Sequence, residues 1–581
     1  MCAWLCSQLV TRLPFIIDSM LKLFDVDESV SAAIEKLSPR LRALVLAALN
    51  YHSLIQPGRE LSYRLYMGER WQYPRLTDTS TLSGDLTERA GLTPFLEFRA
   101  KSAADPSSEF SPHYFEGQQQ IIDRNVRYIL LSPDGATDED IEAKQTVKLA
   151  SKVYRACETY APVAFDYIRE AQRSHREKQS YQPIVPFVPQ DLSSAEVAQR
   201  LHHPYFDIKP NKPREGAPKA VLVGMHWLQA GGAERWGLET IDLVKRAGMT
   251  PIVITNMDSH QPWISKPELE GALVICLTFP MQERPGDEPL LRSIFEQFDV
   301  RGTLIHHNQW LYDRLWWIKR YYPQTRIVDS LHILEYRYRG GYPNQAVSRD
   351  AYIDLHHVIS PQLENWLVER HGISQSKIVM APLVGLTADT GRDTIKARQQ
   401  PGQLCVAFVG RVTRQKRPEA FIRIVQILEH AHPGAYHFIM HGNGDLDGEV
   451  NNIIEHAGLT DVIERRGLNQ SVEDTYQEAD LLLVSSVNEG ITLTTIEAIS
   501  AGLPVLSADV GSQSTLIPVQ GLLPRRTADL IAAAVRSMEH IREHEEDRER
   551  LWQVENARLT SFFGQQSANR YFQNMLKEWA Q

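Results

Sequence analysis

The segment LCVAFVGRVTRQKRPEAF, residues 404 to 421, reads as a strand, a loop and the start of a helix. Its apolar run ends at Gly410, and the basic loop that holds Arg411 and Lys416 leads into the helical pattern. The same alternation recurs on both sides, upstream in AVLVGMHW, PIVITNM, ALVICL, GTLIHH, RIVDSL, HHVIS and KIVMAP, and downstream in YHFIMHG, DVIERRG, ADLLLVSS and PVLSAD. Short apolar runs bounded by turn residues and interleaved with helical patterns argue for parallel sheets covered by helices on both faces. The polar stretch TADTGRDTIKARQQPGQ at 387–403 separates the runs into two doubly wound, Rossmann-like domains, 216–390 and 403–545. The expected fold class is therefore α/β, with the carboxyl ends of two sets of strands facing a shared cleft, where ligands of such sheets bind.

The flanks read differently. Residues 1–205 lack the alternation, and their amphipathic stretches, Glu28–Tyr51, Glu116–Leu131 and Asp138–Glu170, predict a mainly helical region. A bridge rich in proline and lysine, PYFDIKPNKPREGAPK at 204–219, joins it to the first α/β domain. Residues 546–581 predict a C-terminal helix whose Trp552, Phe562, Phe572 and Trp579 are available to pack back on the N-terminal half.

Composition limits the classes of function. The chain has 581 residues with 62 Lys+Arg against 72 Asp+Glu, a formal charge of −10 that provides no global field for a nucleic-acid backbone. The five cysteines, Cys2, Cys6, Cys157, Cys276 and Cys405, form no Cys-x-x-Cys pair and read as reduced thiols. The apolar opening MCAWLCSQLVTRLPFIIDSMLKLF lacks a basic leader and is broken by Arg12, Pro14 and Asp18, so secretion is not expected. No run approaches the ~20 apolar residues that span a bilayer. The expected location is cytoplasmic, with any membrane contact peripheral and at an inner face.

Three elements carry chemistry. In VNEGITLTTIEAISAGLPV, 487–505, Glu489 and Glu497 stand eight apart, with Gly490 between strand and helix. If the helix starts near Ile491, Glu497 falls about two turns in and Glu489 beside the N-terminus, whose unpaired N–H groups attract phosphate or sugar oxygens. Alone, the pair is equally a loop acid and a solvated helix residue. In FVGRVTRQKRPEAF, 408–421, Arg411 and Lys416 can converge on a diphosphate, although Arg414 and Arg417 also suit a solvated basic loop. In MHGNGDLDG, 440–448, Gly442 and Gly444 permit close approach of the backbone to a ligand. The Asp445-Leu446-Asp447 triplet lies in this glycine turn and reads as incidental rather than as a metal site.

In this order, and followed by AGLPVLSADVGS at 501–512, these elements resemble glycosyltransferase family 4 (glycosyl transferases group 1), of the GT-B fold, over about 219–520. The resemblance implies that the two glutamates form an E-x7-E motif, with Glu489 on the donor sugar and Glu497 on the nucleotide ribose. It implies that Arg411 and Lys416 bind the donor diphosphate, and that Gly490, Ile491, Thr492 and Leu493 face the sugar and phosphates, with Gly442 in the donor pocket. Here the turn lacks the family's second glycine and its proline, so sugar specificity does not transfer. In HWLQAGGAERW, 226–236, Gly231 and Gly232 match the glycine-rich loop after the first strand. His332, in VDSLHILEYRYRGG at 328–341, matches a cleft histidine that contacts the transferred sugar. Tyr336, Arg337 and Arg339 follow it in a loop that would face the acceptor.

The function so implied is a retaining glycosyltransferase of the hexosyl type, acting in glycan or polysaccharide biosynthesis. It would move a sugar from a nucleoside-diphosphate-sugar donor to a glycan, lipid-linked or protein acceptor, with no further cofactor and no metal. Residues 1–205 would serve homo-oligomerisation or a pathway partner. The rivals are a GT-B sugar-nucleotide epimerase and a catalytically silent scaffold that binds sugar nucleotides.

Overall fold

The computed structural model describes residues 21–68, 92–105, 126–136, 156–157, 161–189, 212–278, 287–336, 339–383, 392–467 and 469–581. The N-terminal part begins with β1 (Phe24–Val26), α1 (Glu28–Glu35), α2 (Pro39–Ile55), β2 (Glu60–Met67), β3 (Leu96–Ser102) and β4 (Val126–Leu131). These strands form one sheet in the order β1-β3-β2-β4. The expectation of a mainly helical region is corrected here. Val126–Leu131 is a strand paired in parallel with β2, not the end of a helix over Glu116–Leu131. Its VRYILL buries alternate residues and then a continuous run, the burial of a strand and not of a helix stripe. Residues 116–125, 138–155 and 158–160 of the expected helices, like Cys2 and Cys6, lie outside the described residues.

Helix α2 is buried from Ala43 to Ile55 and shares one core with the central sheet, while Tyr66 and Leu130 form a small separate cluster on β2 and β4. Helix α3 (Pro162–Ser180) instead lies against the C-terminal sheet's helices. Asp166 accepts from Arg423 Nη1 at 2.9 Å, Arg169 donates to Glu419 Oε1 at 3.3 Å, and Arg525 grips Glu177 through two bonds of 3.1 Å. The chain that follows crosses to the central sheet. Tyr181 stacks under Arg370 at 5.0 Å, the Phe187 amide donates to Ser348 O at 2.6 Å, and Arg349 covers the Phe187 ring at 4.4 Å.

The central sheet comprises β5 (Lys219–Met225), β6 (Thr250–Thr255), β7 (Leu273–Cys276), β8 (Asp299–His306), β9 (Arg326–Leu331), β10 (Leu355–Val358) and β11 (Ile378–Met380), with α4 (Gly232–Arg246) after β5. Its order is β11-β10-β9-β8-β5-β6-β7, with every neighbouring pair parallel. Strand β5 is apolar because helices cover both faces, and all its residues after Lys219 are buried.

The C-terminal sheet comprises β12 (Leu404–Val409), β13 (Tyr436–His441), β14 (Ile463–Arg466), β15 (Leu481–Val484), β16 (Val505–Ala508) and β17 (Leu522–Leu523), in the parallel order β14-β13-β12-β15-β16-β17. Helices α5 (Pro418–Ala431), α6 (Leu493–Ser500) and α7 (Thr527–Glu543) pack around it. The tail forms two helices where one was expected. Helix α8 (Glu545–Phe563) stays on the C-terminal sheet, where Trp552 Nε1 donates to Ile499 O at 2.9 Å. Helix α9 (Ala568–Trp579) crosses to the central sheet, where Arg301 Nε donates to Trp579 O at 2.9 Å and Phe572 meets Trp236 edge to face.

Strand order reverses between β5 and β8 in one sheet and between β12 and β15 in the other. The loops after these strands are the places where doubly wound sheets take ligands. No helix among the described residues is long and apolar enough to cross a membrane.

Candidate active site

The loops after β12 and β15 meet through an ion pair. Lys416 Nζ donates to Glu489 Oε1 at 2.7 Å, with both side chains largely withdrawn from solvent. The loop that carries Lys416 is anchored from below by Arg417, held at φ +56°. Its buried guanidinium donates to Ser485 O at 2.6 Å, Ser486 O at 2.9 Å and Arg525 O at 3.0 Å. Burial pulls the pKa of Arg417 down to about 9. Arg417 is therefore a structural clamp rather than part of a solvated basic loop. Arg411 is exposed and forms no ion pair among the described residues.

Glu497 sits one turn into α6, closer to the helix start than expected, because Thr492 is the N-cap and accepts from the Thr495 amide at 3.2 Å. Its carboxylate accepts from Tyr476 Oη at 2.7 Å and from Arg235 Nη1 at 3.2 Å. Arg235 and Tyr476 carry no local signal in the sequence; only the long-range fold brings them to Glu497. Ile491 and Thr492 are buried at the entrance to α6, and Leu493 is its first residue.

Two glycines explain how the loops come so close. A Cβ on Gly442, at φ +131°, would lie 2.1 Å from Gly410 O, so this glycine packs the loop after β13 on the loop after β12. A Cβ on Gly490 would lie 2.2 Å from His332 O, which brings the loop after β15 against the loop after β9 of the other sheet. Asn488 Nδ2 adds a bond of 2.6 Å to Leu334 O across the same seam.

On the central sheet, Gly231 and Gly232 lead into α4, and Gly232 faces Leu493. The Glu234 carboxylate turns back to accept from Trp227 Nε1 at 2.9 Å. Burial raises the Glu234 pKa, and the nearby Arg411 charge works against that rise. Burial, aided by Arg411, lowers His226 to about 4. Arg411 of one sheet thus faces the glycine loop of the other.

His332 is buried at the end of β9, its ring centroid 5.0 Å from that of His307. His307 adopts φ +59° and stacks on Tyr342 at 4.9 Å. Asp329 lies apart from the seam and is buried, accepting from Tyr312 Oη at 2.9 Å and bonded to His356 Nδ1 at 2.8 Å. The expected acceptor loop is divided. Tyr336 is buried in the core, Arg339 is exposed at φ +55°, and Arg337 lies outside the described residues.

Asp447 is engaged by Arg465 Nη2 at 2.7 Å and by the Gly444 amide at 3.1 Å. The described residues contain one cluster with metal-ligand spacing, His437, Glu464 and Glu478, and Arg466 already pairs with both glutamates.

The family model for glycosyl transferases group 1 matches residues 403–540, the C-terminal sheet and its helices. A D-inositol 3-phosphate glycosyltransferase of Nocardia farcinica is 30% identical over 340 residues, 52% of this chain and 75% of that protein. One from Paenarthrobacter aurescens is 29% identical over 168 residues, 27% of this chain and 41% of that protein. Among solved structures, Anabaena HepE in complex with UDP aligns at 13% identity and TM-score 0.47, covering 62% of this chain and 98% of that one. With three-quarters of the Nocardia protein aligned and the family model matched on the C-terminal sheet, the chain belongs to the group 1 glycosyltransferases.

Proposed function

We propose that the protein transfers a sugar from a nucleoside-diphosphate donor to an acceptor hydroxyl with retention of anomeric configuration. The observation that carries this reading is the Lys416–Glu489 contact at the mouth of α6. An ammonium has three N–H donors, and the bond to Glu489 leaves two for a diphosphate. Glu489 Oε2 has no hydrogen-bond partner among the described residues and can accept from a sugar hydroxyl. Glu497, although it already accepts two bonds, keeps lone pairs for ribose hydroxyls.

As the bond between the anomeric carbon and the diphosphate breaks, negative charge gathers on the leaving oxygens. Lys416, Arg411 and the unpaired amides at the start of α6 stabilise that charge, the electrostatic kind of catalysis that needs no metal ion in this role. The acceptor hydroxyl approaches from the central sheet, past His332. The relatives named as D-inositol 3-phosphate glycosyltransferases support transfer over epimerisation and make a phosphorylated polyol the first acceptor to offer.

The test is a thermal-shift panel of UDP, GDP, ADP and their sugar conjugates on wild type and Lys416→Ala. A ligand at a hundred times its Kd adds about 2.7 kcal/mol to stability. A shift with one base that vanishes in the variant is the expected result. A shift that survives the substitution sinks the diphosphate assignment, and no shift with any nucleotide sinks the donor reading.

A further inference from the structure

One hydroxyl at the end of β9 ties together an indole and two imidazoles. Ser330, almost fully buried, has Trp236 Nε1 at 3.1 Å, His332 Nε2 at 3.0 Å and His357 Nδ1 at 2.8 Å. His357 in turn has its Nε2 2.9 Å from Ala381 O. A hydroxyl gives one proton and accepts two, so these contacts can be assigned by counting.

The indole N–H only donates and takes one lone pair of Ser330. A ring nitrogen facing a carbonyl must carry a proton, so His357 is protonated on Nε2. Burial keeps that imidazole neutral, with its pKa lowered to about 4. Its Nδ1 is therefore a lone pair, and the single proton of Ser330 goes there. The remaining lone pair of Ser330 is matched by an N–H from His332 Nε2. Burial, with the His306 and His357 rings nearby, holds His332 neutral as well. Its Nδ1 is left bare, and it has no hydrogen-bond partner among the described residues.

We infer that Ser330, oriented by Trp236 and His357, is a positioning residue that locks the proton of His332 on Nε2 and offers the lone pair of Nδ1 to a substrate hydroxyl. A bare ring nitrogen accepts a hydrogen bond from a hydroxyl and repels an anionic oxygen. The site thus favours a neutral sugar hydroxyl over a carboxylate at this position. The sugar as ligand rests on the proposed transfer reaction; the proton count rests on the side chains alone.

The experiment is nitrogen NMR of the full-length protein labelled at histidine, with the His332 signals assigned by their loss in His332→Gln. At neutral pH the expected spectrum has Nε2 protonated and Nδ1 bare. A proton on Nδ1, or exchange between the two tautomers, overturns the inference whatever the substrate. Ser330→Ala should mix the tautomers, and Ser330→Thr should restore the single form. Turnover of UDP-glucose, GDP-mannose or ADP-glucose, whichever raises the melting temperature, should fall about tenfold in Ser330→Ala, the worth of one buried hydrogen bond. Nucleoside-diphosphate affinity should hold, and the threonine variant should recover the rate. An alanine variant with unchanged turnover overturns the positioning role and leaves sugar transfer standing. Failure of every donor to bind wild type would sink the transfer reading, while the spectrum still decides the tautomer.

Discussion

Arg235 on the first helix of the central sheet donates to Glu497 on a helix of the C-terminal sheet, 3.2 Å apart, so the seam between the sheets is closed by a charge pair. Half of the Arg235 side chain is exposed, and an ion pair of that kind contributes at most ~1 kcal/mol to stability. Arg235→Ala should therefore leave the melting temperature nearly unchanged. It should speed amide exchange over 330–334 and 485–493, where the two loops touch. Unaltered exchange in those segments would remove Arg235 as a fastener.

Removing Lys416 takes the cation from a nearly buried carboxylate. Lys416→Ala should cost about 1–3 kcal/mol of stability, the penalty of an unsatisfied polar group. It should also lower kcat/KM by about a hundredfold or more if a transition-state charge contact is lost. Lys416→Ala/Glu489→Gln removes the orphaned charge and should recover the stability but not the rate. Recovery of both in a denaturation and turnover series would mean that Lys416 serves only the fold.

Gly490→Ala places a methyl group against the His332 carbonyl, which the loop cannot accommodate without opening the seam. Overpacking of this sort costs about 1–3 kcal/mol, too little to unfold a chain with three sheets. The expected protein is folded, with a larger radius of gyration in solution scattering and little turnover. Wild-type dimensions and activity would show that the contact is dispensable.

Stability should peak near pH 6.5. Burial holds His306 at about 3 and His226 and His357 at about 4, so the unfolded chain binds more protons than the folded one below the ordinary histidine value. Each such ring costs about 1.4 kcal/mol per pH unit as the pH falls below about 6.5. His356 has the opposite sign. Burial resists its charge, but Asp329 and Asp350 outweigh that and raise it to about 9. Its contribution is complete below the ordinary histidine value and is lost as the pH rises toward 9. His356→Gln should flatten the alkaline limb of a melting-temperature profile. An unchanged limb would assign it to another group.

Both large sheets were legible because their strands are buried on two faces and so read as unbroken apolar runs, as in AVLVGMHW and LCVAFVG. The N-terminal sheet was not. In β3, LEFRAKS, the exposed Glu97, Arg99 and Lys101 alternate with buried Phe98, Ala100 and Ser102, the signature of a sheet wet on one face. Three alternations are too few to stand out beside the longer helical patterns around them. In the site, Lys416 and Glu489 lie in loops next to recognisable strand ends, and their pairing follows from topology. Arg235, Tyr476 and Ser330 sit within elements whose local pattern only reports helix or strand, and their roles arise from partners as far as 262 residues away.

Two bodies joined at one point can pivot in any direction, and joined at two they keep a single axis. Among the described residues, the chain joins its two large sheets between β11 and β12, again between α8 and α9, and, third, where α3 ends and the Phe187 segment begins. The third attachment is held on one side by the carboxylates of Asp166 and Glu177 and on the other by rings under arginines. Any wide swing must stretch it or release it, and its more exposed pair, Arg525 with Glu177, loosens as salt is added. These contacts thus act as a brake on how far, and how often, the molecule gapes, and added salt eases that brake.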